Sequence, residues 1–230
     1  MASLLVVPNA PDPVRRFWES RRVSVLGGTF DPLHLGHLRA AEVVRDALRL
    51  DKVLFVPAST PPHKALPPVT EAEHRFGMLK RALLDEPFFE VSRLELDRGG
   101  RSYTIDTLEA LAAASRDSRF FFVTGTDAFS EIRTWKDWQK LLDAHWFVVH
   151  ERPGFPIEAV QDVLPEGISS RVLEESELEP GTEPRVLFLR RPMLQVSSTE
   201  IRRSIREKRS IRFLAPDAVA AYIRENRLYR

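Results

Sequence analysis

No cysteine occurs among the 230 residues, which excludes disulfides, thiolate metal sites and cysteine nucleophiles together and fits a reducing compartment. No apolar run approaches the roughly 18 residues that a membrane-crossing helix needs. The opening MASLLVVPNAPDP holds a short apolar patch, but no basic stretch precedes it and prolines follow at once. Residues 1–22 therefore read as an N-terminal extension rather than a signal peptide. Internal repeats and low-complexity tracts are missing. So are the G-x-G-x-x-G dinucleotide fingerprint, the G-x-x-x-x-G-K-[ST] phosphate loop and the H-E-x-x-H zinc motif. What remains is a cytoplasmic enzyme or binding protein without a membrane partner, and its 43% hydrophobic content is ample for a proper core.

Charge is unevenly spread. The net value is +1, yet Arg190 onward carries eleven Lys/Arg against four Asp/Glu, about +7, which leaves about −6 for the rest. A basic segment suits an anionic partner. No nucleic-acid-binding motif accompanies it and no aromatics interleave the arginines, so a nucleotide-sized polyanion is more economical than DNA or RNA.

Short runs rich in Val and Phe predict strands at Val23–Leu26, Val53–Val56, Phe88–Ser92, Arg119–Val123, Trp146–His150 and Arg185–Leu189. Helical patterns fall between and after them, at Gly36–Leu48, Thr70–Leu84, Thr104–Ser115, Asp127–Ile132, Trp135–Asp143, Thr199–Arg206 and Pro216–Asn226. This alternation predicts an α/β fold for residues 23–230, a single domain built on a doubly wound, mostly parallel open sheet. Ligands are expected at the carboxyl ends of its strands. Arg152–Pro184, rich in Pro and Glu, reads as an insertion or partial helix.

The densest chemistry lies in GGTFDPLHLGH, Gly27–His37, where a strand should pass into a helix. Strand, glycine-rich turn and helix point N-terminal amides at a phosphate, and glycines let the backbone approach it. His34 and His37, three apart, share one helix face. On these residues alone a metal site from Asp31, His34 and His37 stays open, as does a plain glycine turn. SSTEIR (Ser197–Arg202) offers a helix cap from Ser197, Ser198 or Thr199, with Arg202 on the first turn: an ordinary cap or a second anion site. In GTDAF, Asp127 follows Gly125 at a strand's end, suited to a ribose hydroxyl, to a magnesium-bound phosphate or to capping the next helix. SYT, ahead of a helix, reads as a serine or threonine cap, and PPHK offers His63 and Lys64 as cationic or donor groups.

Taken together, GGTFDPLHLGH, PPHK, SYTIDTL, GTDAF with TW, and SSTEIR occur in the order found in bacterial nicotinate-nucleotide adenylyltransferases of the nucleotidylyltransferase superfamily, which the chain resembles from about Val23 onward. Even the ending VAAYIRENRLY is similar. Ser59-Thr60 stands where such proteins often carry Asn ahead of the Pro-Pro pair. The resemblance implies a Rossmann-like fold and AMP transfer from ATP to nicotinate mononucleotide, giving deamido-NAD and pyrophosphate, with Mg²⁺ carried on the ATP phosphates. It implies catalytic roles for His34, His37 and Arg202. ATP contacts are implied for Gly27, Gly28, Thr29, Phe30, Gly36, Gly125, Asp127, Ser197 and Thr199. Nicotinate-mononucleotide contacts are implied for His63, Lys64, Tyr103, Thr104 and Trp135, with the Trp135 indole stacked on the pyridine ring. Nicotinamide mononucleotide as acceptor, a non-catalytic nucleotide sensor and a nucleic-acid binder are the alternatives, and the sequence is compatible with a homo-oligomer.

Overall fold

The computed structural model describes residues 22–61, 70–152, 154–161, 172–174 and 186–230. The expectations for residues 1–21, His63 and Lys64 lie outside these.

Seven strands form one sheet, and every adjacent pair is parallel. In chain order they are β1 (Arg22–Gly28), β2 (Lys52–Pro57), β3 (Phe89–Val91), β4 (Arg119–Gly125), β5 (Trp146–His150), β6 (Val172–Glu174) and β7 (Val186–Leu189). Their spatial order is β3-β2-β1-β4-β5-β7-β6. The chain winds outward from β1 to β3, returns to place β4 beside β1, and then winds the other way. The crevice between the carboxyl ends of β1 and β4 is thus the topological switch point, where such sheets bind ligands.

Both faces of the sheet are covered, which is why its strands read as continuous apolar runs. The residues nevertheless divide by the two-residue period: Leu26, Phe55, Phe121 and Val123 face one core, and Val25, Leu54, Phe120 and Phe122 the other. The first core is closed by α1 (Leu35–Leu48), α2 (Ala72–Ala82), α8 (Ser198–Arg206) and α9 (Asp217–Glu225). The second is closed by α4 (Thr104–Ala114), α6 (Trp138–Ala144) and α7 (Ile157–Gln161). Each fully buried Val, Leu or Phe contributes about 1.5–3 kcal/mol to this packing. Helices α2 and α9 meet at Gly77, where a Cβ would come within 2.6 Å of the Tyr222 hydroxyl.

All six expected strands are present, and the fold class is as the sequence suggests. The seventh, β6, was not expected: it is three residues long and lies in the Pro- and Glu-rich stretch. Helix α3 (Leu94–Arg98) also escaped the pattern, being shorter than two turns. The expected helices Asp127–Ile132 and Trp135–Asp143 are broken differently. A short α5 (Thr126–Phe129) and a 3₁₀ turn (Ile132–Thr134) precede α6, and Trp135 lies between elements with extended backbone.

Candidate functional site

Gly27 and Gly28 are the last residues of β1, not part of the turn that follows it. They serve close approach: a Cβ on Gly27 would meet the Phe122 ring at 3.1 Å, and one on Gly28 the Phe30 ring at 3.2 Å. The left-handed residue is Phe30 itself, with φ at 50°. Its conformation costs about 1–2 kcal/mol. That turn drops the ring into the core, edge-on to His37 at 5.0 Å and against Phe55 at 5.7 Å. The Asp31–Pro32 peptide is cis.

His34 caps α1. Its Nδ1 accepts the His37 N–H at 3.3 Å, and His37 Nδ1 accepts the His34 N–H at 3.3 Å, a reciprocal capping box made of two imidazoles. The rings stack with centroids 3.6 Å apart. Because each Nδ1 is an acceptor, each neutral ring carries its proton on Nε2. Burial, with the Arg152 guanidinium adding to it, pulls the His34 imidazole down to about 4. His34 is therefore a neutral donor at pH 7, not a cation. Gly36 keeps this arrangement open: a Cβ there would lie 3.0 Å from His34 Nδ1 and 3.2 Å from the Leu194 carbonyl.

Helix α8 forms the facing wall. Of the three hydroxyls the sequence offered, Ser197 is the cap, accepting the Glu200 N–H at 3.1 Å. Ser198 instead donates to the Pro32 carbonyl at 2.9 Å. Arg202 donates to the Asp31 carbonyl at 2.5 Å and to the Thr199 hydroxyl at 3.2 Å. The β1–α1 turn and the start of α8 are thereby tied together across 166 to 171 residues of sequence.

At the end of β4, Asp127 does not cap α5. Its carboxylate lies 3.4 Å from Arg152 Nε, and a Cβ on Gly125 would strike both side chains. Farther along the sheet edge, α4 begins at Thr104 after Tyr103, and no side chain caps it. The serine or threonine capping that SYT suggested is therefore absent there. Lys136 sits 5.0 Å over the Tyr103 ring and pairs with Asp106 at 2.6 Å. Trp135 is half-buried, edge-on to Phe122 at 6.0 Å. Phe122 also packs at Gly27, so the indole and the β1 turn share a neighbour.

Sequence reasoning missed the support beneath the turn. Asp31 is 5% exposed, and its carboxylate accepts the Tyr229 hydroxyl at 2.7 Å and the Thr70 N–H at 3.3 Å. Burial and Asp31 hold the Tyr229 phenol well above its ordinary range. Among the described residues, no three His, Cys, Asp or Glu side chains are grouped so as to hold a metal ion. Arg75, 1% exposed, donates to the Thr29 and Thr70 carbonyls at 2.8 Å each and to Ser59 O at 3.2 Å. An arginine inside an amphipathic helix gives no local signal of this.

The cytidylyltransferase-like family model matches residues 25–204, across the parallel sheet and the paired imidazoles at its first crossover, and places the chain among the nucleotidyltransferases. Relatives bearing the name "Probable nicotinate-nucleotide adenylyltransferase" include that of Desulfitobacterium hafniense (strain Y51), 42% identical over 91% of this chain and 96% of its own. That of Thermus thermophilus is 43% identical over 91% of this chain and 100% of its own. A solved structure of Plasmodium falciparum nicotinic acid mononucleotide adenylyltransferase complexed with NaAD shares the fold, with a TM-score of 0.69 at 19% identity over 91% of this chain and 97% of that one. The chain belongs to the nicotinate-nucleotide adenylyltransferase family.

Proposed function

We propose that the chain transfers AMP from ATP to nicotinate mononucleotide, giving deamido-NAD and pyrophosphate. The observation that carries this reading is the reciprocal His34–His37 cap at the switch point, facing Arg202 and the start of α8 across the Asp31–Pro32 turn. An oxygen of the mononucleotide phosphate attacks the α-phosphorus, and the bond to the β-phosphate bridge oxygen breaks as pyrophosphate leaves. The attacking phosphate is ionised at neutral pH, so neither a protein nucleophile nor a general base is needed. Catalysis is then positioning and charge stabilisation.

In this reading the Nε2–H groups of His34 and His37 donate to phosphate oxygens from one side, and Ser197, Thr199 and Arg202 hold them from the other. Gly27, Gly28, Thr29, Phe30 and Gly36 shape the turn, and Gly125 and Asp127 flank the adenosine. Mg²⁺, bound through the ATP phosphates, would neutralise part of their charge. The donor set fits this, since Asp31 is committed to Tyr229 and Thr70 and, among the described residues, no three His, Cys, Asp or Glu form a cation cage. The uncapped start of α4 at Tyr103–Thr104 receives the nicotinate carboxylate, Trp135 stacks on the pyridine ring, and His63 and Lys64 contact the mononucleotide on the strength of the resemblance. The cysteine-free composition supports a cytoplasmic location.

Gly36→Ala is expected to lower turnover at least about tenfold, because displacements well under 1 Å at a reacting centre are costly. The His34 ring or the Leu194 carbonyl must give by a few tenths of an ångström. Steady-state kinetics beside a thermal melt separate this from a loss of fold.

The acceptor is tested by pyrophosphate release from Mg·ATP with nicotinate or nicotinamide mononucleotide, the dinucleotide being identified by mass. Hydrogen bonds to a charged group contribute about 1.5–3 kcal/mol, so a preference for the acid of about 10- to 100-fold in kcat/KM is expected. Equal use of both would discard the carboxylate pocket at Tyr103–Thr104 while keeping the phosphate site. Turnover with neither would overturn the acceptor.

A further inference from the structure

Arg75 is the largest of the fully buried side chains among the described residues, and burial lowers its pKa. Taking a guanidinium out of water costs several kcal/mol, repaid only when its donors are met in good geometry. Its guanidinium donates to backbone carbonyls from three separate segments: Thr29 on the β1–α1 turn, Ser59 after β2, and Thr70 ahead of α2. A planar group with donors in a fixed fork holds such points in one frame, which a flexible ammonium cannot do.

The Ser59 contact leads onward. The Ser59 N–H donates to the Ser102 hydroxyl at 2.9 Å, and the Ser102 N–H donates to the Thr60 carbonyl at 2.9 Å. Ser102 is 9% exposed and adjoins Tyr103 and Thr104 at the uncapped start of α4. Glu95, 6% exposed beneath it, is held by the Thr107 hydroxyl at 2.5 Å. One buried cation therefore links the turn that carries the histidine pair to the residues at the start of α4, through two further hydrogen bonds.

We infer that Arg75 is a positioning residue that sets the ATP half of the site against the acceptor half. This rests on the acceptor reading above. In-line transfer needs the attacking oxygen about 3–3.5 Å from phosphorus, and an error near 1 Å costs about a hundredfold. A residue with this task governs the joint placement of two substrates more than the binding of either.

Arg75→Lys keeps the charge and loses the fork. It is expected to lower kcat at least about thirtyfold, while the Kd of an unreactive ATP analogue and that of nicotinate mononucleotide, each measured alone by calorimetry, shift less than about threefold. Ser102→Ala breaks the same path farther on and is expected to lower kcat at least about fivefold with the same split. The double variant should lose less than the product of the two, since both cut one connection. Should Arg75→Lys fail to fold, Ser102→Ala decides alone. A kcat within twofold of wild type in the folded variants would overturn the inference, as would losses that follow only weaker ATP binding or a lower Tm. Wild-type chain that does not use nicotinate mononucleotide would instead overturn the acceptor reading, and this inference with it.

Discussion

Replacing His37 with alanine is expected to cut turnover by at least about a hundredfold while the sheet stays folded. Loss of one donor preorganised toward a charge-bearing oxygen typically costs about 3–4 kcal/mol in the transition state. The structural price is smaller. The substitution removes the acceptor of the His34 N–H but leaves the His37 N–H bonded to His34 Nδ1, so α1 keeps half of its capping box. A lost cap interaction costs about 1 kcal/mol. Pyrophosphate release measured beside a circular-dichroism melt checks both. A folded variant with near-wild-type turnover would remove His37 from the transfer step.

Mild acid should destabilise the fold through His34. Its imidazole titrates at about 4 in the folded protein against 6.5 in the unfolded chain, because burial disfavours the charged ring. Above pH 6.5 the ring is neutral in both states and has no effect. As pH falls from 6.5 to 4 the unfolded chain binds a proton that the folded one refuses, so stability declines with falling pH. The full difference corresponds to about 3 kcal/mol, reached near pH 4. Burial shifts His145 and His150 the same way, which steepens the decline, and it raises Glu95, which opposes it. His34→Asn retains a side chain able to cap α1 and removes the titration. Urea unfolding between pH 4.5 and 7.5 should therefore show a shallower slope for the variant. Identical slopes would mean that the ring accepts its proton in the folded state without penalty.

The histidine pair was legible in the chain because it is local: strand, turn and cap run without interruption from Arg22 to His37, and the three-residue spacing dictates a shared face. The reciprocity of the cap was not legible, since it depends on both rings turning Nδ1 inward. The glycines were read as the turn, but tertiary contact with Phe122 and Phe30 is what requires them, and Phe30 takes the left-handed conformation instead. The N-cap of α8 was narrowed to three hydroxyls. Only the approach of the Pro32 carbonyl decides that Ser198 turns away and Ser197 caps. Asp31, Tyr229 and the Arg75–Thr29 contact lay beyond reach for one reason: these partners are 39 to 198 residues distant, and no period or spacing encodes a contact of that range.

That distance also orders events during synthesis. The β1–α1 turn precedes its partners in the chain: Arg202 must follow before the Asp31 carbonyl is held, and Tyr229 before the carboxylate gains a partner beyond the Thr70 N–H. A nascent chain can pair β1 with β2 and bury much of its first core while the turn between Gly28 and His34 still lacks both ties. The His34–His37 pair is then in place without the α8 wall that faces it, so the arrangement is completed by residues far downstream of the motif that announces it.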